Sequence, residues 1–266
     1  MKHKKLFPYY GGKFYLLNDI FKIIAPIQNE IITFVDVFGG SGTVLLNIPL
    51  DWKCNKIFND IDLRIFKVMM ALKNDPDSLK KEMDKTIRSR EYFNLIKNKD
   101  AKEMTPFEYL YLIANSFGGI TTYASFGVGR TSYRNNYFNT FENAFKNAEY
   151  LKYWILENLD FSELIKKYDS EKTFFYLDPP YLTAGRKYAN YFTETNFKEL
   201  NDLCKGMKGK YLLNESETDF SFIESLWGTP AYVKEYNNMV TMVATKRSKR
   251  KEGFWTNFKE KGLLTW

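Results

Sequence analysis

The stretch FFYLDPPYL, from Phe174 to Leu182, puts an acid, two prolines and an aromatic ring at the end of an apolar run. The run reads as a buried strand. Proline has no N–H to give to a ladder and confines the residue before it to extended conformations, so one reading is an ordinary strand end. The other is that the turn is rigid for a chemical reason. It would hold the Asp178 carboxylate, a main-chain carbonyl at the Pro179-Pro180 bond and the Tyr181 ring in one fixed constellation.

A second cluster lies nearer the N-terminus. Ile31 to Val37 (IITFVDV) is a β-branched run carrying Asp36, followed by Phe38 and the glycine-rich Gly39-Gly40-Ser41-Gly42-Thr43, then the helical VLLN. Lys56 to Asp60 reads as another short strand ending in an acid, 20 residues beyond Gly40. In a nucleoside-binding α/β unit such glycines let backbone approach the ligand, and an acid at this distance meets the ribose hydroxyls. The spacing is not the dinucleotide G-x-G-x-x-G pattern, so a tight strand-to-helix turn without a ligand stands beside this reading.

Composition removes other chemistries. Two cysteines, Cys54 and Cys204, cannot make a disulfide scaffold or a four-thiolate zinc site, and the one histidine, His3, stands near a terminus, so serine triads, Cys-His dyads and His-ligated metal centres are not expected. No metal ligand set is expected. No run approaches the roughly 18 apolar residues of a membrane span, and MKHKKLFPYYGGK lacks the apolar core of a signal peptide, so a cytoplasmic protein is expected. The net charge is +7, with a basic cluster from Lys246 to Lys251, and aromatic residues make up 18% of the chain. Most rings belong in a core. Those interleaved with Arg and Asn between Thr121 and Phe138 suit a surface that meets phosphates and bases, although solvated charges have the same composition.

The elements that would position these groups alternate between strand and helix at both ends of the chain. Between them, helical spacing dominates from about Leu63 to Tyr168, in FKVMMALKN, SLKKEMDKTIRSREYFNLIK, TPFEYLYLIANSF and FENAFKNAEYLKYWILENL. Thr105-Pro106 is a helix-start signal. Gly118 to Phe138 reads as a long loop or hairpin. After Thr173 to Leu177 come a helix around Phe197 to Lys205 and a strand at Lys210 to Asn214. Ala231 to Tyr236 and Asn238 to Thr245 read as two strands joined by a tight turn, an antiparallel hairpin at a sheet edge. The 266 residues thus divide into an α/β core (1–62 and 169–266) and a mostly helical insert (63–168).

In this order the pieces resemble the Dam-like family of N6-adenine-specific DNA methyltransferases. FPYYGGKFYLL (Phe7 to Leu17) resembles its G-G-K motif, DVFGGSGTVLLN (Asp36 to Asn47) its cofactor loop, FNDID (Phe58 to Asp62) its acidic ribose position and YLDPPY (Tyr176 to Tyr181) its catalytic D-P-P-Y. The resemblance implies a Rossmann-like S-adenosylmethionine-dependent core, with a mixed sheet, an antiparallel C-terminal hairpin and a helical target-recognition insert. It implies catalysis by Asp178, Pro179, Pro180 and Tyr181. Tyr10 and Lys13 would touch the cofactor, Phe38, Gly40 and Gly42 would wrap it, Asp36 would lie near its methionine part, and Asp60 would hold the ribose. Asp178 would also touch the cofactor, and Asn214 would support the catalytic wall.

The chemistry suits these residues. Adenine N6 is a poor nucleophile because its lone pair is delocalised, and acceptors for its two hydrogens at Asp178 and the Pro179 main chain would draw it toward tetrahedral geometry. The base would have to leave the duplex and stack on Tyr181. Arg130, Arg134, Asn135 and Asn136 of the insert, with Lys246, Arg247 and Lys249, would hold phosphates and read base edges. Double-stranded DNA is the expected partner, with a cognate restriction endonuclease and a monomer or weak dimer as further expectations. Residues Ile120 to Arg130 depart from GATC-specific members, which leaves the recognition sequence open. Three alternatives stand: an amino-methyltransferase acting on RNA or protein, a DNA-binding protein with a silent methylase fold, and a metal nuclease built on Asp60 and Asp62.

Overall fold

The computed structural model describes residues 3–116, 125–127, 136–182, 192–237 and 249–258. Among them, strands β1 (Thr33–Asp36), β2 (Asn55–Asn59), β3 (Trp154–Glu157), β4 (Thr173–Leu177), β5 (Lys210–Ser216), β6 (Tyr232–Asn237) and β7 (Lys249–Thr256) form one sheet. Their order is β3-β2-β1-β4-β5-β7-β6. Strands β1 to β5 are parallel, and β7 runs antiparallel to both β5 and β6.

Both faces of the sheet are covered, which is why its central strands are apolar without polar alternation. Phe34, Phe58, Phe174, Tyr176, Leu212 and Phe254 face one core. That core takes in α1 (Leu17–Ile24), α3 (Leu63–Asn74), α6 (Pro106–Asn115) and α7 (Asn136–Asn147). The alternate residues Val35, Ile57, Phe175, Leu177, Leu213 and Trp255 face the other. There they meet α8 (Phe161–Tyr168), α9 (Glu194–Gly206) and α10 (Phe220–Trp227). All five residues of β4 are buried, so the strand that carries the D-P-P-Y turn is held from both sides.

In the helical layer α4 (Pro76–Lys85) and α5 (Arg90–Ile96) follow α3, and α6 packs against α3, α5 and α7. Every residue from Phe107 to Asn115 is buried. The start of α6 is a capping box: Thr105 accepts from the Glu108 N–H, the Glu108 carboxylate accepts from the Thr105 N–H, and Pro106 occupies a position whose N–H would be spare.

Two expectations fail here. FENAFKNAEYLKYWILENL is not one helix: α7 ends at Asn147, Ala148–Tyr153 form a 3₁₀ segment, and Trp154–Glu157 are β3. Strand pairing with β2 outweighs local helical spacing, and the 63–168 stretch therefore contains a strand of the sheet, with α8 in the layer beside α9. The C-terminal hairpin is antiparallel and at a sheet edge, but β6 pairs with Lys249–Thr256, not through a tight turn with Asn238 to Thr245. Residues 238–248 lie outside the described residues. Four leading charges hide β7 from a hydropathy pattern, and its apolar side chains begin only at Phe254.

Trp154 joins β3 to the rest. Its ring is 1% exposed, stacks on Phe58 at 6.2 Å between centroids, and lies where a Cβ on Gly42 would come within 2.9 Å of it. Trp154→Ala is expected to lower stability by about 3–5 kcal/mol, read from urea unfolding, because the void cannot collapse under a sheet closed on both faces.

Candidate active site

Strand order runs outward in opposite directions from β1 and β4, so a crevice opens at the carboxyl ends of these strands. The chemistry-bearing acids all stand there. Asp36 is the last residue of β1, Asp60 follows β2, and Asp178 follows β4. A cleft of about 730 Å³, open to solvent, is bordered by these acids, by the Tyr9 to Lys13 segment, by Phe38 to Ser41 and by Pro180.

The glycine loop shapes one wall. Gly40 has φ +52°, and a Cβ there would sit 2.8 Å from the Tyr9 ring, so the position takes glycine on both counts. The Gly40 N–H donates to Asp60 Oδ2 at 2.8 Å and the Asp62 N–H donates to Asp60 Oδ1 at 2.8 Å. Each carboxylate oxygen keeps a lone pair for a ligand, an arrangement that matches a pair of vicinal hydroxyls. Asp62 caps α3 and pairs with Arg64 at 2.7 Å. Gly42 does not border the cleft. Its φ of +66° caps α2 (Thr43–Leu46) above Trp154.

The opposite wall is the D-P-P-Y turn. Lys13, 3% exposed, pairs with Asp178 Oδ1 at 2.7 Å, donates to the Gly11 carbonyl at 2.9 Å, and lies 4.8 Å from the centre of the Tyr181 ring. Lys13 thus borders the cleft, and its charge is committed to the acid of the D-P-P-Y turn. Asp36 is buried and its Oδ1 has no hydrogen-bond partner. An unpartnered carboxylate oxygen beside a cleft bordered by four acids and one ammonium suits a cationic ligand. Tyr10 and Phe38 also border the cleft, and Phe38 packs against Phe161 and Phe192 at 6.1 and 5.4 Å.

Behind Tyr181 lies a group that sequence inspection missed. Glu252 of β7, 2% exposed, accepts from the Tyr181 hydroxyl at 3.0 Å and from Asn214 Nδ2 at 3.0 Å. Asn214 is wholly buried and also donates to the Gly253 carbonyl, so it ties β5 to β7 behind the turn. Glu215, next on β5, is wholly buried with neither carboxylate oxygen hydrogen-bonded. No local signal marks these acids, because only the pairing of β5 with β7 brings residues 38 apart together.

Of the residues expected to meet nucleic acid, Arg130, Arg134, Asn135, Lys246 and Arg247 lie outside the described residues. Asn136 opens α7. Lys249 is exposed at the start of β7 and pairs with Glu235 at 3.0 Å. No cluster of His, Cys, Asp and Glu able to hold a metal is present among the described residues.

The acids repel one another along the cleft, where their side chains are largely withdrawn from water. Burial, then the neighbouring Asp62 charge, pushes Asp60 up to about 7, and burial opposed by Lys13 leaves Asp178 at about 6. Asp36 is pushed well above the carboxylate range by burial, then by Asp178 and Asp60. A carboxyl whose folded pKa is raised binds more protons folded than unfolded. Its stabilising contribution is full below about pH 4 and is lost as pH rises through the folded value. The resting protein is expected to lose stability between about pH 4 and 7, and Asp60→Asn to flatten that loss by on the order of a few kcal/mol in urea unfolding across the range.

The pattern of glycine loop, strand-end acids and D-P-P-Y turn has counterparts. The model of the D12 class N6 adenine-specific DNA methyltransferase family matches residues 9–242. Modification methylase StsI of Streptococcus sanguinis is 29% identical over 202 residues, which cover 68% of this chain and 29% of that protein. The chain therefore spans less than a third of the length of this curated relative. The family match takes in the glycine loop, the acids of the crevice and the whole D-P-P-Y turn, and this chain belongs to the D12 class of N6 adenine-specific DNA methyltransferases.

Proposed function

We propose that this chain transfers a methyl group from S-adenosyl-L-methionine to N6 of an adenine turned out of duplex DNA. The observation that carries this is the meeting of Asp178, the Tyr181 ring and the cleft of Asp36 and Asp60 at one strand-order reversal, within a chain of this family. The cofactor supplies an electrophilic methyl on a sulfonium leaving group. Asp36, with its unpartnered oxygen, would face the positive charge, Asp60 the ribose hydroxyls, and Tyr10, Phe38 and Gly40 the walls.

Asp178 Oδ1 and the Pro179 carbonyl would accept the two N6 hydrogens and restore the nitrogen lone pair, and Asp178 would carry away the proton released on methylation. The Lys13 ammonium on the same oxygen supports this, since it is itself an N–H donor over the Tyr181 ring. Pro179 and Pro180 would keep the acceptors from relaxing, and Tyr181 would stack on the base.

The recognition insert would lie between α3 and β3, at 76–153, with the remainder as catalytic core. Arg130, Arg134, Asn135, Asn136, Lys246, Arg247 and Lys249 would serve phosphates and base edges. No helix among the described residues is long and apolar enough to cross a membrane. A cytoplasmic location suits a DNA-modifying enzyme, and the name of the relative, a modification methylase, supports a companion restriction endonuclease as a partner.

The deciding experiment is transfer of labelled methyl from S-adenosylmethionine to unmethylated genomic DNA, followed by single-molecule sequencing. Modified adenines in one short motif are expected. Transfer to RNA or protein instead, or cofactor binding without transfer, would overturn the proposal. Asp178→Ala is expected to lower kcat by about 100-fold or more while cofactor affinity stays within a few fold. DNA affinity should fall steeply with salt, and neutralising Lys249, Arg250 and Lys251 should reduce the slope by about one for each phosphate that the variant leaves unneutralised, read from binding titrations at several salt concentrations.

A further inference from the structure

Glu252 lies beyond the stretch that the family model matches, which ends at residue 242. It sits opposite Ser216 of β5 and Lys234 of β6. Phe254 pairs with Asn214, so Glu252, two residues away, shares the sheet face of Asn214 and Tyr176. A site used only for packing on this face would take an apolar side chain. A carboxylate buried to 2% exposure is costly unless its lone pairs are filled.

They are filled by four groups. Oε2 takes the Tyr181 hydroxyl and Asn214 Nδ2, both at 3.0 Å. Oε1 lies 3.2 Å from the hydroxyls of both Tyr15 and Tyr236, which are 3.0 Å from each other. An ionised carboxylate offers about four acceptor sites, so the N-terminal segment, β5, β6 and the catalytic turn converge on one fully used group. Two prolines fix the backbone before Tyr181, and the hydroxyl bond to Glu252 pins the far end of its ring, so the side chain cannot swing about its Cα–Cβ bond. The same charge acts on Lys13: burial favours its neutral form, but Asp178 and then Glu252 reverse this and keep it protonated over the ring.

We infer that Glu252 is a positioning residue for the methyl transfer, acting through Tyr181 by holding in place the ring on which the target base is to stack. The catalytic half of this inference rests on the proposed function. Its structural half does not, and the two are read separately. With 3-fluorotyrosine incorporated at position 181, fluorine NMR should give one narrow resonance in the native sequence and a shifted or broadened one in Glu252→Gln, because the Gln amide must turn an N–H toward one pair of donors.

In turnover, Glu252→Gln is expected to lower kcat by about tenfold or more with cofactor affinity unchanged, as is Tyr181→Phe, which keeps the ring and loses only the hydroxyl. The double variant should be no slower than either single one, since both break the same bond. Glu252→Asp, which keeps the charge, should recover part of the rate. An unchanged resonance overturns the inference whether or not the protein methylates DNA. Additive losses in the double variant, or a Glu252→Gln rate within about twofold of the native one, overturn its catalytic half. A native protein that moves no methyl while the resonance shifts defeats the proposed function and upholds Glu252 as the lock on Tyr181.

Discussion

The site depends on an imbalance of charge among side chains that the fold largely withdraws from water. Parallel strands that diverge from β1 and β4 bring Asp36, Asp60 and Asp178 to one crevice, and Lys13 is the one cation among the described residues bordering it. Desolvation and mutual repulsion make full ionisation of these acids unfavourable, so the ion pair of Lys13 with Asp178 at 2.7 Å offsets only part of the cost. A cleft in this condition gains by receiving positive charge. Its affinity for a sulfonium would come from relief of strain that the fold already carries.

Holding like charges together requires rigid walls, and the surrounding fold supplies them. The two-sided core clamps β4 along its whole length, so the turn that follows cannot drift from the strand. Gly39, Gly40 and Gly42 let the loop after β1 lie against Phe58, Tyr9 and Trp154 at distances no side chain would allow. The first residues of the chain then close the cleft from the other side. Lys13 meets the D-P-P-Y turn and Tyr15 meets β7, 237 residues later in the chain.

The two sides of the molecule differ in what they ask of the sequence. The cofactor side is built from short local units, strand, turn and acid, whose order along the chain is their order of use. The side behind Tyr181 is built across strands, where Asn214, Tyr236 and Glu252 meet only because β7 inserts between β5 and β6.

That difference explains what could be read in advance. The α/β class, the strands that lead into Asp36, Asp60 and Asp178, the glycine loop and the proline turn are all legible along the chain. Each is a local pattern: proline removes a donor, glycine admits a positive φ, and an apolar run bounded by an acid marks a strand entering a crevice. The structure alone decided that Trp154 begins a strand rather than continuing a helix, that Gly42 serves the packing of β3 rather than the cleft, and that Lys13 is bound to Asp178. It also decided that a glutamate within a basic, charged stretch is among the most deeply buried groups beside the site. Strand pairing and the burial of charge are set by residues far apart in the chain, and no window along the sequence contains both partners.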